Sequence, residues 1–337
     1  MCFSIYDVLI VIILLPLFLA RAAHYLFDRI LFLDRASVEN VNSFAAEFRY
    51  VRIIFACIRS RNYLIIEEIR NNRTISVLHI PPKDPQASSG LVVLVHGACA
   101  RMQQFSHVIR YLLEKGFEIV AFDALGCGMS SKPSQPGAYR TSEMYADLEA
   151  VIKKYAYHQK ALTVIGHSIG AAMLARFATS SDCSSLVRSL VLIAPPVISG
   201  EKSRSTDIFK LPSSILWLIR PWMGVQARKL LFGPQATDTL KSMEREASAR
   251  NPVYMFKAFY SQIDREFLNM SKATKLNVPT LFIGADCDNI CPAGPIKDLS
   301  QRLGCQYVVA KDCGHQCMQE DPKQINGYIG DFLSSLQ

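Results

Sequence analysis

The pentapeptide Gly166-His167-Ser168-Ile169-Gly170 constrains this 337-residue chain more than any other stretch. An apolar run, Ala161-Leu162-Thr163-Val164-Ile165, leads straight into it, and a small-residue run, Ala171-Ala172-Met173-Leu174-Ala175, leads straight out. A strand that becomes a helix within five residues forces the central serine into strained backbone geometry. Only glycines two residues to either side let the neighbouring chain pass without a Cβ clash. Such a turn is a nucleophile elbow, which lifts a serine hydroxyl out of the end of a sheet. The same five letters also occur in ordinary glycine-containing turns, so it is the flanking strand and helix that give them weight.

Around the elbow the chain alternates. Leu91-Val92-Val93-Leu94-Val95 reads as a strand buried on both faces of a parallel sheet. Helices are expected over 103–115, 141–157 and 169–180, and strands over 118–122, 161–165 and 188–193. Ahead of these, residues 63–66 and 74–80 read as a hairpin about a turn at Asn71-Asn72-Arg73, followed by a loop over 81–90. This order implies a mostly parallel sheet flanked by helices, with ligand sites beyond the carboxyl ends of its strands. Residues 195–275 break the rhythm at Pro195-Pro196, Leu211-Pro212, Arg220-Pro221, Gly233-Pro234 and Asn251-Pro252, with short apolar helices such as 214–219 in between. They are expected to form a helical cap over the sheet's carboxyl edge, splitting the core into 63–194 and 276–337. The alternation resumes with strand 280–283, helix 293–303, strand 307–309 and a last helix over 322–336.

Residues 5–20 are apolar apart from Tyr6 and Asp7, no lysine or arginine precedes them, and Arg21, His24, Arg29 and Arg35 follow. A spanning helix takes roughly 17 to 25 apolar residues, a length reached by extending through Ala22 and Ala23. The preferred reading of 1–35 is a single-pass membrane anchor. Positive residues lying only downstream orient the body of the protein to the cytosol, on the endoplasmic reticulum or another internal membrane. A cleaved signal ending near Ala20-Arg21-Ala22 lacks the usual positive start, and a buried helix is the third reading. Over 36–62, Phe44, Phe48, Val51, Ile54 and Phe55 fall near helical spacing among Arg49, Arg52, Arg59 and Arg61. That segment is either a basic amphipathic connector lying on the bilayer or an ordinary packing helix. The net charge of +8 is spread along the chain and favours an anionic membrane surface over nucleic acid, for which no motif is present. Ten cysteines scattered through strands and loops read as reduced thiols rather than as a disulfide framework.

A serine hydroxyl becomes nucleophilic when a base takes its proton and an acid holds that base in the right tautomer. After an elbow serine the expected chain order is acid, then histidine. Asp288-Asn289-Ile290-Cys291-Pro292 and Gly314-His315 each follow a predicted strand, on the same sheet edge as Ser168. His24, His79, His107 and His158 fall near the membrane, in the hairpin or on helices, and His96 and His167 flank the motif glycines. His315 is left as the base. Asp286 rivals Asp288 as the acid, and the spacing to Ile290 and Pro292 favours Asp288. Negative charge developing on a carbonyl oxygen needs two N–H donors. Ile169 N–H, at a helix N-terminus, and Ala98 N–H, after His96-Gly97, are the candidates for this oxyanion hole. Cys287, Cys291, Cys313 and Cys317 bracket these loops, either as small residues in tight turns or as a zinc or redox cluster. No cofactor or metal is called for by the chemistry.

His96-Gly97, Asp123-x-x-Gly126-x-Gly128-x-Ser130, Gly166-His167-Ser168-Ile169-Gly170, Asp288-x-Ile290-x-Pro292 and Gly314-His315 occur in that order. Together, over roughly 63–337, they resemble the α/β-hydrolase fold superfamily. The anchor-plus-hydrolase layout is similar to the abhydrolase-domain proteins, which include membrane-bound monoacylglycerol and phospholipid acyl hydrolases. The resemblance implies an eight-stranded sheet, a cap after the sixth strand and a Ser168, Asp288, His315 triad. Serine at 168 argues against the dehalogenases and epoxide hydrolases of this fold, which carry aspartate there. Some relatives place an aspartate five positions after the histidine, a pattern associated with acyl transfer, and here that position is Glu320. The expected activity is hydrolysis of a lipid ester, an acylglycerol or lysophospholipid, through an acyl-enzyme. The alternatives are a non-catalytic binding or scaffold module and an acyltransferase. In the cap, Trp217, Trp222, Met223 and Leu230 with Arg220, Arg228 and Lys229 suit an acyl chain drawn from a bilayer, or simply pack on one another.

Overall fold

The computed structural model describes residues 63–336 apart from 85, 87, 157–161, 181–184 and 198–206. The expected anchor over 1–35 and connector over 36–62 lie outside the described residues. Among the described residues no helix is long and apolar enough to cross a membrane.

β1 (Leu64–Arg70) and β2 (Arg73–Ile80) pair antiparallel across a two-residue turn in which Asn72 takes a φ of 60°. Asparagine is one of the few side chains that tolerates this left-handed conformation. β3 (Leu91–Val95) leads through a short 3₁₀ turn to α1 (Ser106–Glu114) and β4 (Glu118–Asp123). Then come α2 (Thr141–Ala156), β5 (Leu162–His167), α3 (Ile169–Thr179) and β6 (Val187–Ile193). Among the described residues four α-helices follow before the sheet resumes: α4 (Ser213–Leu231), α5 (Asp238–Ala249), α6 (Val253–Gln262) and α7 (Arg265–Leu268). β7 (Thr280–Ala285), α8 (Ala293–Arg302), β8 (Gln306–Ala310), α9 (Cys317–Glu320) and α10 (Pro322–Ser334) complete the order.

The eight strands form one sheet in the order β1-β2-β4-β3-β5-β6-β7-β8, parallel from β4 through β8 and antiparallel where β2 meets β1 and β4. Successive side chains of a strand point to opposite faces, so an all-apolar β3 feeds two core layers at once. Leu91, Val93 and Val95 join Leu148 of α2 and Leu174 of α3 on one face. Val92 and Leu94 join Leu112 of α1 and Ile329 of α10 on the other. Each such side chain, fully buried, contributes roughly 1.5–3 kcal/mol.

The expected break at Arg220-Pro221 is not there, because α4 runs through Pro221. A proline costs a helix one N–H bond and crowds the carbonyl four residues back. Here the preceding turn is held from outside: the Arg220 guanidinium donates to Ser248 O at 2.5 Å and Asn251 O at 2.7 Å, bracing α4 against the end of α5.

The hairpin is fastened to α2 by charge. Asp147, 2% exposed, accepts from Arg73 Nε at 2.6 Å and Nη2 at 2.5 Å, and from Arg70 Nη1 at 3.0 Å. Removing one partner of a buried pair strands the other charge, at a cost of about 3–5 kcal/mol. Asp147→Ala is therefore expected to lower the urea unfolding free energy by about that much. A change under about 1 kcal/mol would show that water already solvates Arg73.

Candidate active site

Ser168 sits between β5 and α3 with φ 53° and ψ −123°, a region that side chains other than glycine occupy only under constraint. The constraint is visible on both sides. Its N–H donates to Ile193 O on β6 at 2.9 Å, and its carbonyl accepts from Ala171 and Ala172 N–H in α3 at 3.0 and 3.3 Å. The flanking glycines answer to close approach. A Cβ on Gly170 would stand 2.5 Å from Val95 O, and one on Gly166 would stand 2.6 Å from Ala171 N.

Asp288 follows β7 and His315 follows β8, so both loops open on the sheet edge where Ser168 stands. Asp288 Oδ2 lies 2.7 Å from His315 Nδ1, and Oδ1 accepts from Ile290 and Cys291 N–H at 2.7 and 2.9 Å. Ser168, Asp288 and His315 are all buried. A carboxylate accepts, so Nδ1 carries the proton and Nε2 keeps a basic lone pair. Asp286, the rival acid, turns away: its carboxylate pairs with Lys311 Nζ at 3.7 Å and its N–H with Ala310 O. No hydrogen bond joins Ser168 Oγ to His315 Nε2 among the described residues. Serine–histidine pairs without substrate often have this looser spacing.

The elbow and the histidine loop are joined by a residue that sequence reasoning had set aside. His167 Nε2 donates to His315 O at 2.8 Å, and the two rings lie 4.6 Å apart at 52°. Burial, with the neighbouring His315 adding to it, holds the pKa of His167 well below its ordinary value. The neutral ring, donating through Nε2, leaves Nδ1 buried without a partner. Its place beside the serine in the elbow was the available signal, since it puts the side chain at the same end of the sheet as the loop after β8.

His96 secures the other side. Nδ1 donates to Gly97 O at 2.7 Å and Nε2 accepts Ala124 N–H at 2.9 Å, tying the turn after β3 to the end of β4. Burial lowers its pKa, opposed by the charge of Asp123 and the bond to Gly97. Asp123 in turn accepts from Met102 and Met129 N–H at 2.8 and 3.0 Å, and Ser130 Oγ donates to Asp123 O at 2.5 Å. Ala98 lies in the turn so fixed, one residue before Cys99 at φ 52°. Ile169 opens α3, where the first N–H groups of a helix have no acceptor within it. Ile169 thus opens the helix directly after Ser168, and Ala98 lies in the turn after β3, the strand paired with β5.

Both buried histidines have a folded pKa below the unfolded one, so their contribution to stability is present above pH 6.5 and lost as pH falls below it. Each adds a slope of up to about 1.4 kcal/mol per pH unit. Urea midpoints taken from about pH 8 down to about pH 5.5 are expected to fall, and to fall less in His167→Gln. Parallel profiles for the two proteins would exclude His167 as a source of the slope.

The segment that follows α4 meets the histidine loop backbone to backbone. Gln316 N–H donates to Leu231 O at 3.3 Å and Gln235 N–H to Asp312 O at 3.2 Å. Between them Gly233 and Gly314 cross so closely that a Cβ on either would lie 2.5 or 2.4 Å from the other's nitrogen. Glu320 clasps the crossing, accepting from Gly233 N–H at 2.9 Å and Gly314 N–H at 3.1 Å. Burial raises its pKa and these N–H bonds oppose the rise. Cys287, Cys291, Cys313 and Cys317 are not joined in disulfides. Burial pushes Cys313 up to about 12 and Cys317 well above the ordinary range, so both stay protonated. No group of three or more His, Cys, Asp or Glu able to hold a metal occurs among the described residues.

The profile of the Hydrolase_4 family, serine aminopeptidase S33, matches residues 86–322. The chain belongs to the Hydrolase_4 family. With it comes membership of the α/β-hydrolase fold superfamily, whose mostly parallel eight-stranded sheet and flanking helices are those described above. This Hydrolase_4 protein is 25% identical over 246 residues to Protein ABHD8 of Homo sapiens, a match covering 72% of this chain and 55% of the relative. The chain thus spans about half the length of that curated relative. It is 23% identical over 262 residues to monoacylglycerol lipase abhd6-B of Xenopus laevis, covering 73% of this chain and 76% of the relative. Among solved structures, that of a membrane phospholipase A superposes with a TM-score of 0.65 at 21% identity, covering 93% of this chain and 99% of that one. At that identity the likeness is one of fold.

Proposed function

We propose that this Hydrolase_4 protein is a serine hydrolase that cleaves carboxylic esters of lipids, an acylglycerol or a lysophospholipid, through an acyl-enzyme on Ser168. The observation that carries the reading is the buried 2.7 Å contact between His315 Nδ1 and Asp288 Oδ2, on the sheet edge where Ser168 is strained. His315 Nε2 takes the proton of Ser168 Oγ as Oγ attacks the ester carbonyl carbon, and Asp288 stabilises the imidazolium. Ala98 and Ile169 N–H groups receive the negative charge on the carbonyl oxygen, with the N-terminus of α3 favouring it. The proton passes to the alcohol oxygen as the C–O bond breaks. Water, activated by the same imidazole, then releases the acid.

The lipid part of the reading draws on the relatives, one named a monoacylglycerol lipase and one a membrane phospholipase A. In the same reading 1–35 anchors the chain in an internal membrane with the hydrolase domain in the cytosol, 36–62 connects, and 195–275 caps a core formed by 63–194 and 276–337. A fluorophosphonate probe tests the chemistry: wild type is expected to label and Ser168→Ala to remain unlabelled. Failure of the folded wild type to label would favour a binding module instead. Product analysis on monoacylglycerol and lysophospholipid with an added alcohol acceptor separates hydrolysis from acyl transfer.

A further inference from the structure

More than half of the residues of α4 are large and apolar, yet of its 19 residues only Leu216 is buried. The exposed ones share a face. Trp222, Val225 and Lys229 follow one another at helical spacing, with Trp222 58% and Val225 42% exposed and Leu218 half-buried one turn before them. Just ahead of the helix Leu211 is 38% exposed. An exposed tryptophan beside an exposed valine one helical turn on, Trp222 and Val225, is the kind of apolar surface at which something docks.

The charge on this stretch says what fits. From 208 to 237 there is no aspartate or glutamate, while Lys210, Arg220, Arg228 and Lys229 all fall within it. Arg220 is engaged with the end of α5, whereas Lys229 is exposed on the apolar face and Arg228 flanks it one residue back. A tryptophan and aliphatic side chains backed by cations, on a helix that is not apolar enough to span, match the boundary between anionic head groups and acyl chains. We propose that α4 is a membrane-docking element that lies on an anionic phospholipid surface, with Trp222 and Val225 entering the interface and Arg228 and Lys229 meeting the head groups. This contact is separate from any anchor at the N-terminus and does not depend on the ester chemistry. The C-terminal end of α4 is the part whose Leu231 carbonyl is bonded beside His315, so a surface under α4 lies next to the candidate site.

Trp217 and Trp222 are the two tryptophans of the whole chain, and both lie in α4. Fluorescence of the full-length protein therefore reports on this helix alone, whether or not another segment holds the protein to a vesicle. The probe is a vesicle of phosphatidylcholine with phosphatidylserine, with and without brominated phosphatidylcholine, added to Trp217→Phe protein. Trp222 emission is expected to shift to the blue and to be quenched by the brominated lipid when phosphatidylserine is present. Arg228→Glu with Lys229→Glu is expected to raise the lipid needed for half-quenching roughly 30-fold, at about fivefold or more for each cation lost. Val225→Asp is expected to abolish quenching, and the charge and Val225 variants should melt at the temperature of the Trp217→Phe parent, because Val225 and Lys229 are exposed and Arg228 is half-exposed. Three results would overturn the proposal. They are vesicle-bound protein with no quenching, equal quenching in vesicles without phosphatidylserine, or emission already blue-shifted before lipid is added. The last would mean that a second protein surface or the chain's own remaining segments cover α4.

Discussion

Alanine at Ser168 and alanine at His315 are each expected to lower kcat for ester hydrolysis by about 10⁶-fold, and the two together to lower it little further. The reason is that the proposed steps use them as one device. An Oγ without a base attacks slowly, and a base without an Oγ has no proton to take. The geometry supports a shared role: His167 ties the backbone of residue 315 to the elbow, so that neither group is placed independently of the other. Single and double variants assayed on one soluble ester and one monoacylglycerol check this. Losses that multiply would mean that the two side chains act in separate steps, and the acyl-enzyme reading would fail.

Asp288→Asn is expected to cost about 10⁴-fold in kcat with little loss of stability. Asp288 divides its oxygens between two tasks. Oδ1 receives Ile290 and Cys291 N–H and shapes the loop, and Oδ2 receives His315 Nδ1–H. An asparagine can keep its carbonyl oxygen on the two N–H groups, so the loop stands. Its NH₂ then faces Nδ1 and favours the tautomer that places the imidazole proton on Nε2, where the lone pair for Ser168 is needed. Asp286→Asn is the matched control, because that carboxylate faces Lys311 and not the imidazole. Kinetics and urea unfolding on the two variants distinguish the outcomes. An equal loss in both would point to general disturbance of the loop after β7.

The sheet was legible because burial on both faces demands unbroken apolar strands, and 91–95 and 161–165 are hard to read in any other way. The elbow was legible because close packing leaves glycine no substitute at 166 and 170. What escaped depended on contacts between distant segments. Pro221 read as a boundary because its local cost is real, while the bracing of Arg220 by the end of α5 is a matter of tertiary position. Asp147 carries no sequence signal, because Arg70 and Arg73 come to it only through the fold. His167 and Glu320 were visible as letters, but their partners are backbone groups, which no residue pattern announces.

The crossing of Gly233 and Gly314 bears on how this protein could be re-engineered. Exchanging the region between β6 and β7 is an obvious route to a new substrate range, and a donor segment would be grafted as a unit. Any graft that brings a side chain to position 233 would press on the nitrogen of residue 314 and shift the imidazole beside it. The splice points therefore have to fall before Leu231 and after Gln235, leaving the native five residues in place as a socket for whatever is inserted on either side.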